Sequence, residues 1–257
     1  MSTSVINQQE LSKPELRKAV HEKIDMLLKQ FYEKVPFARY QAETKELNLE
    51  YYKRHCNETI LRMYLKRTAD AMIIKHFTKT DPKSAKMWAQ YTDEEMLHHY
   101  LFANDLEQFG LTKEQIYAQD PFLATKLLQG YFYYTLEHEG PLAALVSSYF
   151  LEYSTRKTQP VWLDNISKLI GEKAIHGART HVSYDIKEDH TAFVWNVIMT
   201  LIKSDKDQEK LFYHIDAISG LFSAYFVELY NSTVGCTEEA SPLLSVPAVA
   251  AVIYAAV

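Results

Sequence analysis

Three stretches of this 257-residue chain carry residue types that hold cations or move protons. The densest is GARTHVSYDIKEDHTAFVW, residues 177–195, with His181, Asp185, Glu188, Asp189 and His190. On a regular α-helix, with His181 at zero, Asp185 lies at about +40°, Glu188 at about −20°, Asp189 at about +80° and His190 at about 180°. His181, Asp185 and Glu188 therefore share one stripe, while His190 faces the other way. One imidazole and two carboxylates so arranged can surround one or two cations. A solvated helix face around Lys187 accounts for the same residues. Gly177 and Ala178, one turn before His181, and Ala192, one turn after Glu188, would let a ligand or another helix come close.

A second stretch is YTDEEMLHHYLFANDL, residues 91–106. Glu95 stands three residues before His98 and four before His99, and either pair faces one way on a helix. Asp93 and Glu94 fit a charged outer face. The apolar neighbours Met96, Leu97, Tyr100, Leu101 and Phe102 require at least one of the two histidines to point inward, where it needs a partner. The third feature is Glu152, alone in the apolar body of PLAALVSSYFLEYSTRK. A charge embedded there costs several kcal/mol unless it is paired or binds a cation. Arg156, four residues on, is the local alternative. Glu137, His138 and Glu139 precede Gly140 at a helix end and read as structural. His21, among Lys and Glu residues, reads as a surface group rather than a haem ligand.

These side chains must be positioned by helices. Gly and Pro are sparse, at 7 and 8, so tight turns are few. Ser12, Pro14 and Glu15 form a capping box ahead of an apolar stripe. A second helix is expected from about Glu43 to Thr78, a third from Asp81-Pro82 to Gly110, and a short fourth capped by TKEQ at 112–115. A fifth opens at Asp120-Pro121, and a sixth follows Gly140-Pro141. A seventh starts at Pro160, and an eighth runs from about Leu169 to Lys203, with Gly171 and Gly177 able to break its beginning. A last helix spans about Asp205 to Asn231. No window alternates as a strand does. The expectation is one all-α domain of seven to nine helices over residues 1–240. An apolar C-terminal tail, 241–257, would dock on the domain or at an interface.

Apolar residues at 47 % and charged residues at 24 % are ordinary for a soluble globular protein. A net charge of −5 gives no basic footprint for nucleic acid. No apolar run reaches the roughly 18 residues of a membrane span, and MSTSVINQQELSK lacks the apolar region of a leader. Two cysteines, Cys56 and Cys236, make no disulfide framework, which points to a reducing, cytoplasmic setting. A homodimer is compatible with the sequence.

In their order, the chemical elements resemble the haem-oxygenase-like di-iron oxidases and oxygenases. Glu95 and His98 match that family's Glu-and-His element. Glu152 in AALVSSYFLEYS matches its Glu late in an Ala/Leu-rich helix. His181 and Asp185 match the start of its His-x3-Asp-x2-His element. The resemblance covers most of the chain and implies a single-domain seven-helix haem-oxygenase-like bundle with extra short helices. It further implies two Fe(II) ions per chain, no haem, and O₂ as co-substrate. The chain departs from the pattern at 188, where Glu188 stands in place of the final histidine. Either Glu188 serves as an oxygen donor, or the helix is distorted so that His190 turns inward; the second iron site would then be the weaker one. The implied activity is oxidation of a small amino-acid-like metabolite by N-oxygenation, desaturation or oxidative C–C cleavage. The alternatives are a fatty-acid-type oxidative decarboxylase of the same fold and a metal-free helical hydrolase or binding protein. The hydrolase needs a nucleophilic cysteine in a mid-bundle helix, and neither cysteine occupies one.

Overall fold

Local side-chain caps set the starts of several helices. The computed structural model describes residues 13–235, so Ser12, Cys236 and the apolar tail lie outside the described residues. In order, the helices are α1 (Lys13–Lys34), α2 (Tyr40–Glu43), α3 (Leu49–Thr80), α4 (Pro82–Glu95), α5 (His99–Glu107), α6 (Lys113–Tyr117), α7 (Leu123–His138), α8 (Leu142–Ile170), α9 (His176–Glu188), α10 (His190–Ile198) and α11 (Asp205–Thr233). A 3₁₀ turn, Glu172–Ile175, precedes α9. No strand occurs among the described residues, so the all-α expectation holds.

Asn48 caps α3, Asp81 caps α4 with Pro82 in the first turn, and Thr112 with Gln115 forms a capping box on α6. Ser204 caps α11. Gly171 ends α8 at φ 88°, a conformation open to glycine at little cost.

Four expected boundaries are corrected. The second long helix begins at Leu49, not near Glu43, because Asn48 supplies the cap and residues 40–43 form the separate α2. Pro160 lies inside α8 and starts no new helix. Ser154 and Thr158 before it, and Trp162, Leu163 and Ile166 after it, stay buried along one helix. That continuous packing holds the helix through a missing hydrogen bond, a defect worth about 3 kcal/mol. The segment opening at Pro82 breaks at 96–98, and Gly177 does not break α9; a break comes instead at Asp189.

α3 and α8 are the organising helices: α3 packs on α4, α5, α7 and α11, and α8 on α2, α7, α9, α10 and α11. Both run through two apolar clusters. One contains Phe77, Trp88, Tyr149, Val194 and Ile215; the other contains Ile60, Leu106, Leu163, Ala178 and Val182. The polar side chains of α4, α5, α8, α9 and α10 meet where these clusters adjoin. Among the described residues no helix is long and apolar enough to cross a membrane.

Candidate metal centre

Glu95 ends α4. The chain then turns through 96–98 with Leu97 C=O accepting from Tyr100 N–H and His98 C=O from Leu101 N–H, each at 3.0 Å. Such i to i+3 bonding eclipses residues three apart. Glu95 and His98 are accordingly brought together, with Glu95 Oε2 3.2 Å from His98 Nδ1. The same turn sends His99 elsewhere. It is buried, lies 2.7 Å from Arg67 Nη2, and packs on Tyr64 and Tyr117. Burial, then the Arg67 charge, holds His99 down at about 4.

α9 is locked onto α5. Asp105 of α5 accepts from the backbone N–H groups of Gly177 and Ala178 at 2.7 and 2.8 Å, satisfying donors of the first turn of α9. A Cβ on Gly177 would stand 1.9 Å from the Leu101 carbonyl oxygen, so only glycine permits this approach. One turn on, His181 meets His98 with ring centroids 4.9 Å apart and Phe102 at 5.3 Å. His181 Nδ1 lies 2.9 Å from Asp185 Oδ2, and Nε2 lies 3.7 Å from Glu95 Oε2.

The regular-helix expectation fails at Asp189. This residue is left-handed, at φ 49° and ψ 50°. Its backbone closes α9 by donating to Asp185 C=O, and its side chain caps α10 by accepting from Ala192 N–H. Aspartate tolerates this region because its short polar side chain bonds locally. The chain changes direction and His190, 2 % exposed, turns inward. Its Nδ1 lies 3.3 Å from Glu95 Oε1, 3.5 Å from Asp185 Oδ1 and 3.6 Å from Glu152 Oε1. Glu188 does the reverse: its side chain is 42 % exposed and lies beside Lys187. The structure therefore brings His190 into the cluster and leaves Glu188, which ends the regular part of α9, outside it.

Glu152 projects from α8 into the same space. Its Oε1 accepts from the Tyr91 hydroxyl at 2.7 Å. The sequence alternative, Arg156, pairs with Asp189 instead, at 3.2 Å. Two donor groups result: Glu95, His98, His181 and Asp185, and Glu95, Glu152 and His190, with the donor atoms of each within 4.8 Å of one another. Glu95 belongs to both.

Burial and proximity shape the charges. Burial would lower His181, but Asp185 and Glu95 outweigh it and push its imidazole up to about 10. Burial likewise opposes the Glu152 and Glu95 carboxylates that raise His190 to about 11. Burial would raise Glu95, yet His181, His190 and His98 hold it well below the usual carboxylate range. Glu152 is raised, by burial first, against the pull of His190.

Glu95 Oε1, His98 Nδ1, both nitrogens of His181, Asp185 Oδ1 and His190 Nδ1 are buried without a hydrogen-bond partner of acceptable alignment. An orphaned buried polar atom costs about 1–3 kcal/mol. Several converging on one space is the arrangement that a coordinated cation relieves. A donor set of imidazole nitrogens and carboxylate oxygens, without thiolate, suits iron or manganese, so the residues fit such an ion.

A sequence model of a family described as iron-containing redox enzymes matches residues 62–218, a span that includes every residue of both donor groups. The chain belongs to the iron-containing redox enzymes. A search of curated proteins finds no match. Among solved structures the fold is similar to a domain of unknown function with a haem-oxygenase-like fold from Shewanella denitrificans OS217. The TM-score is 0.77 at 17 % identity, covering 94 % of this chain and 100 % of that one. The haem-oxygenase-like fold expected from the sequence is thereby shown.

Sequence reasoning overlooked two supporting residues of this redox enzyme. Glu94, assigned to a charged face, lies with Oε2 3.2 Å from His190 Nε2, so Nδ1 is the nitrogen aimed at the cluster. Tyr91, one turn before Glu95, fixes Glu152; that spacing was the available signal. Among the remaining candidates, His21 Nε2 lies 2.7 Å from the Tyr149 hydroxyl, with its ring stacked on Tyr153. Glu137, His138 and Glu139 are exposed at the end of α7. Cys56 is buried, and burial pushes its thiol up to about 12, which removes it as a nucleophile.

The cluster forms part of the wall of a cavity of about 250 Å³, to which Glu95, Glu152, His181 and Asp185 contribute. The rest of the wall is largely apolar and aromatic, with Phe132, Phe150, Trp162 and Phe222 among its residues.

Proposed function

We propose that this redox enzyme is a non-haem di-iron oxidase or oxygenase acting on a small organic molecule in the cavity. Glu95, His98, His181 and Asp185 would hold one Fe(II), and Glu95, Glu152 and His190 the other, with Glu95 reaching both. Iron bound there would supply O₂ with electrons for oxidising a C–H or N–H bond. The chain's own groups set the conditions for that chemistry. Tyr91 fixes the orientation of the Glu152 carboxylate, and Glu94 fixes that of the His190 ring, as outer partners of metal ligands do. Asp105 holds α9 against α5, and with it His181 against His98.

One observation carries this reading: two donor groups sharing Glu95, rich in orphaned buried donor atoms, open onto an apolar cavity. The cavity favours the fatty-acid-type substrate over the amino-acid-like one. A zwitterion needs a carboxylate opposite its ammonium. Away from the cluster, Asp70 on the cavity wall is already engaged by Lys66. Metal analysis tests the reading. Protein produced with iron should carry close to two iron ions per chain, and Glu152→Ala and His181→Ala should lose iron and O₂ consumption while staying helical. Normal iron content and turnover in either variant would remove the proposed ligands.

A further inference from the structure

The cavity wall carries guanidinium groups that no carboxylate matches among the described residues. α3 lines one wall with Arg62, Lys66 and Arg67. Lys66 is held by Asp70 at 2.7 Å; Arg67 makes no ion pair among the described residues, but its Nη2 is taken up against His99 at 2.7 Å, on the side away from α11. Arg62 makes no ion pair among the described residues. Its Nη2 donates to Thr59 Oγ1 at 3.0 Å, its Cζ lies 4.1 Å from the Tyr225 ring centroid, and its Nη1 is buried with no hydrogen-bond partner. Glu58, one helical turn earlier, is already engaged. It accepts from Arg54 Nη2 at 2.7 Å and from Phe122 N–H at 2.9 Å, and its other oxygen takes the Thr125 hydroxyl. A guanidinium keeps its charge at any working pH and presents a planar fork that matches a carboxylate.

Arg62 is also removed from the donor cluster. Lys66, one turn on, lies 5.3 Å from the Tyr91 ring, and it is Tyr91 that touches Glu152. Arg62 instead faces Tyr225 and Phe222 of α11, a helix that supplies no residue to either donor group. We propose that Arg62 anchors the carboxylate of an apolar monocarboxylic acid whose hydrocarbon chain runs along the cavity toward the cluster. The reacting bond is then remote from the carboxylate, which sets this substrate placement apart from direct decarboxylation at the metal centre. The proposal rests on the cavity being the substrate site of the function proposed above.

The test is binding of decanoate and 1-decanol to the full chain, followed by calorimetry, in iron-loaded and chelator-treated protein. Wild type should prefer decanoate by about tenfold or more in both forms, as one charge-assisted pair provides. Arg62→Gln should reduce the preference to within about twofold while leaving decanol binding unchanged, and Arg62→Lys should keep part of it. On wild type alone, bound [1-¹³C]decanoate should titrate below the free acid, because a neighbouring cation favours the ionised form. The proposal fails if wild type does not bind decanoate, if Arg62→Gln keeps the full preference, if the preference appears only with iron, or if the bound acid titrates as the free one does. Iron content measured on the same samples separates the two readings. Loss of the preference at full iron loading concerns Arg62 alone, and a preference kept in protein that takes up no iron refutes only the metal.

Discussion

Gly177→Ala tests whether the contact between α9 and α5 builds the site. The new Cβ would stand 1.9 Å from the Leu101 carbonyl oxygen and 2.5 Å from its carbon, against ordinary contact from about 3.4 Å. The obstacle is backbone, so no rotamer change relieves it, and α9 must retreat by roughly 1.5 Å, the difference between 3.4 and 1.9. The Asp105 contacts to Gly177 and Ala178 N–H, now 2.7 and 2.8 Å, would then pass beyond hydrogen-bond range. Overpacking costs about 1–3 kcal/mol, and each hydrogen bond to a charged group contributes about 1.5–3 kcal/mol. A loss of about 4 kcal/mol is therefore a lower expectation, equivalent to a fall of about 8–16 °C in Tm for a chain of this size. The assay is thermal unfolding by circular dichroism, with iron content measured on the same preparation, since His181 moves with α9. Gly130→Ala is the control, because its Cβ would meet nothing within 4 Å. It should be neutral or stabilising, by up to about 1 kcal/mol. A Gly177→Ala protein melting within 2 °C of wild type, at about the same iron content, would refute the close approach and the reasoning built on it.

His190→Ala should lower iron content by about half, while Glu188→Ala leaves it unchanged; elemental analysis showing the opposite pattern would restore the regular helix through 189. Glu152→Ala should destabilise metal-free protein by about 1–3 kcal/mol, because it leaves the Tyr91 hydroxyl and the His190 imidazole without their carboxylate partner, and an unchanged denaturant midpoint would contradict that. His214 is buried against Tyr131, and burial, then Lys210, lowers its pKa to about 4. Its unfolded value is about 6.5, so the stability at stake is complete above that pH and is lost as pH falls toward 4. The loss is about 1 kcal/mol at pH 5.5 and about 3 kcal/mol below pH 4. Denaturant melts across this range should be flatter for His214→Gln than for wild type, and parallel curves would show that His214 is not held neutral.

Helix punctuation was legible where a local side chain decides it. Asp81 before Pro82, and Thr112 with Gln115, satisfy backbone donors within their own turn, so the signal lies within a few residues. Glu152 was legible because a lone carboxylate among Ala, Leu, Val and Phe has few uses. Choosing between Glu188 and His190 was beyond a periodic reading, which assumes that the helix continues. The break falls at an aspartate, which carries no obvious stop signal. A usable signal did exist, since Asp189 stands just before the apolar run Ala192, Phe193, Val194, Val197 and Ile198, where an N-cap belongs. The turn at 96–98 had none of comparable strength. Glu94 looked like a surface charge because its partner, His190, is 96 residues away in sequence.

The two helix breaks explain how so many donors fit one small space. An unbroken helix offers one stripe, so it can aim residues three or four apart at a common point, but not a fifth. Across the turn at 96–98, Glu95 and His98 stay paired while His99 swings to Arg67, and Glu94 still reaches His190. The left-handed Asp189 lets α9 and α10 contribute His181, Asp185 and His190 together. Each break exposes backbone groups that a continuous helix would have satisfied. At 97–101 these are bonded i to i+3, and at Asp189 one residue serves both helix ends. The side chain of Asp189 is held in turn by Arg156, from the same helix as Glu152. Local irregularity is thus concentrated where donors must converge, and the supporting contacts belong to the helices that carry those donors, as expected of a site whose geometry is under functional constraint.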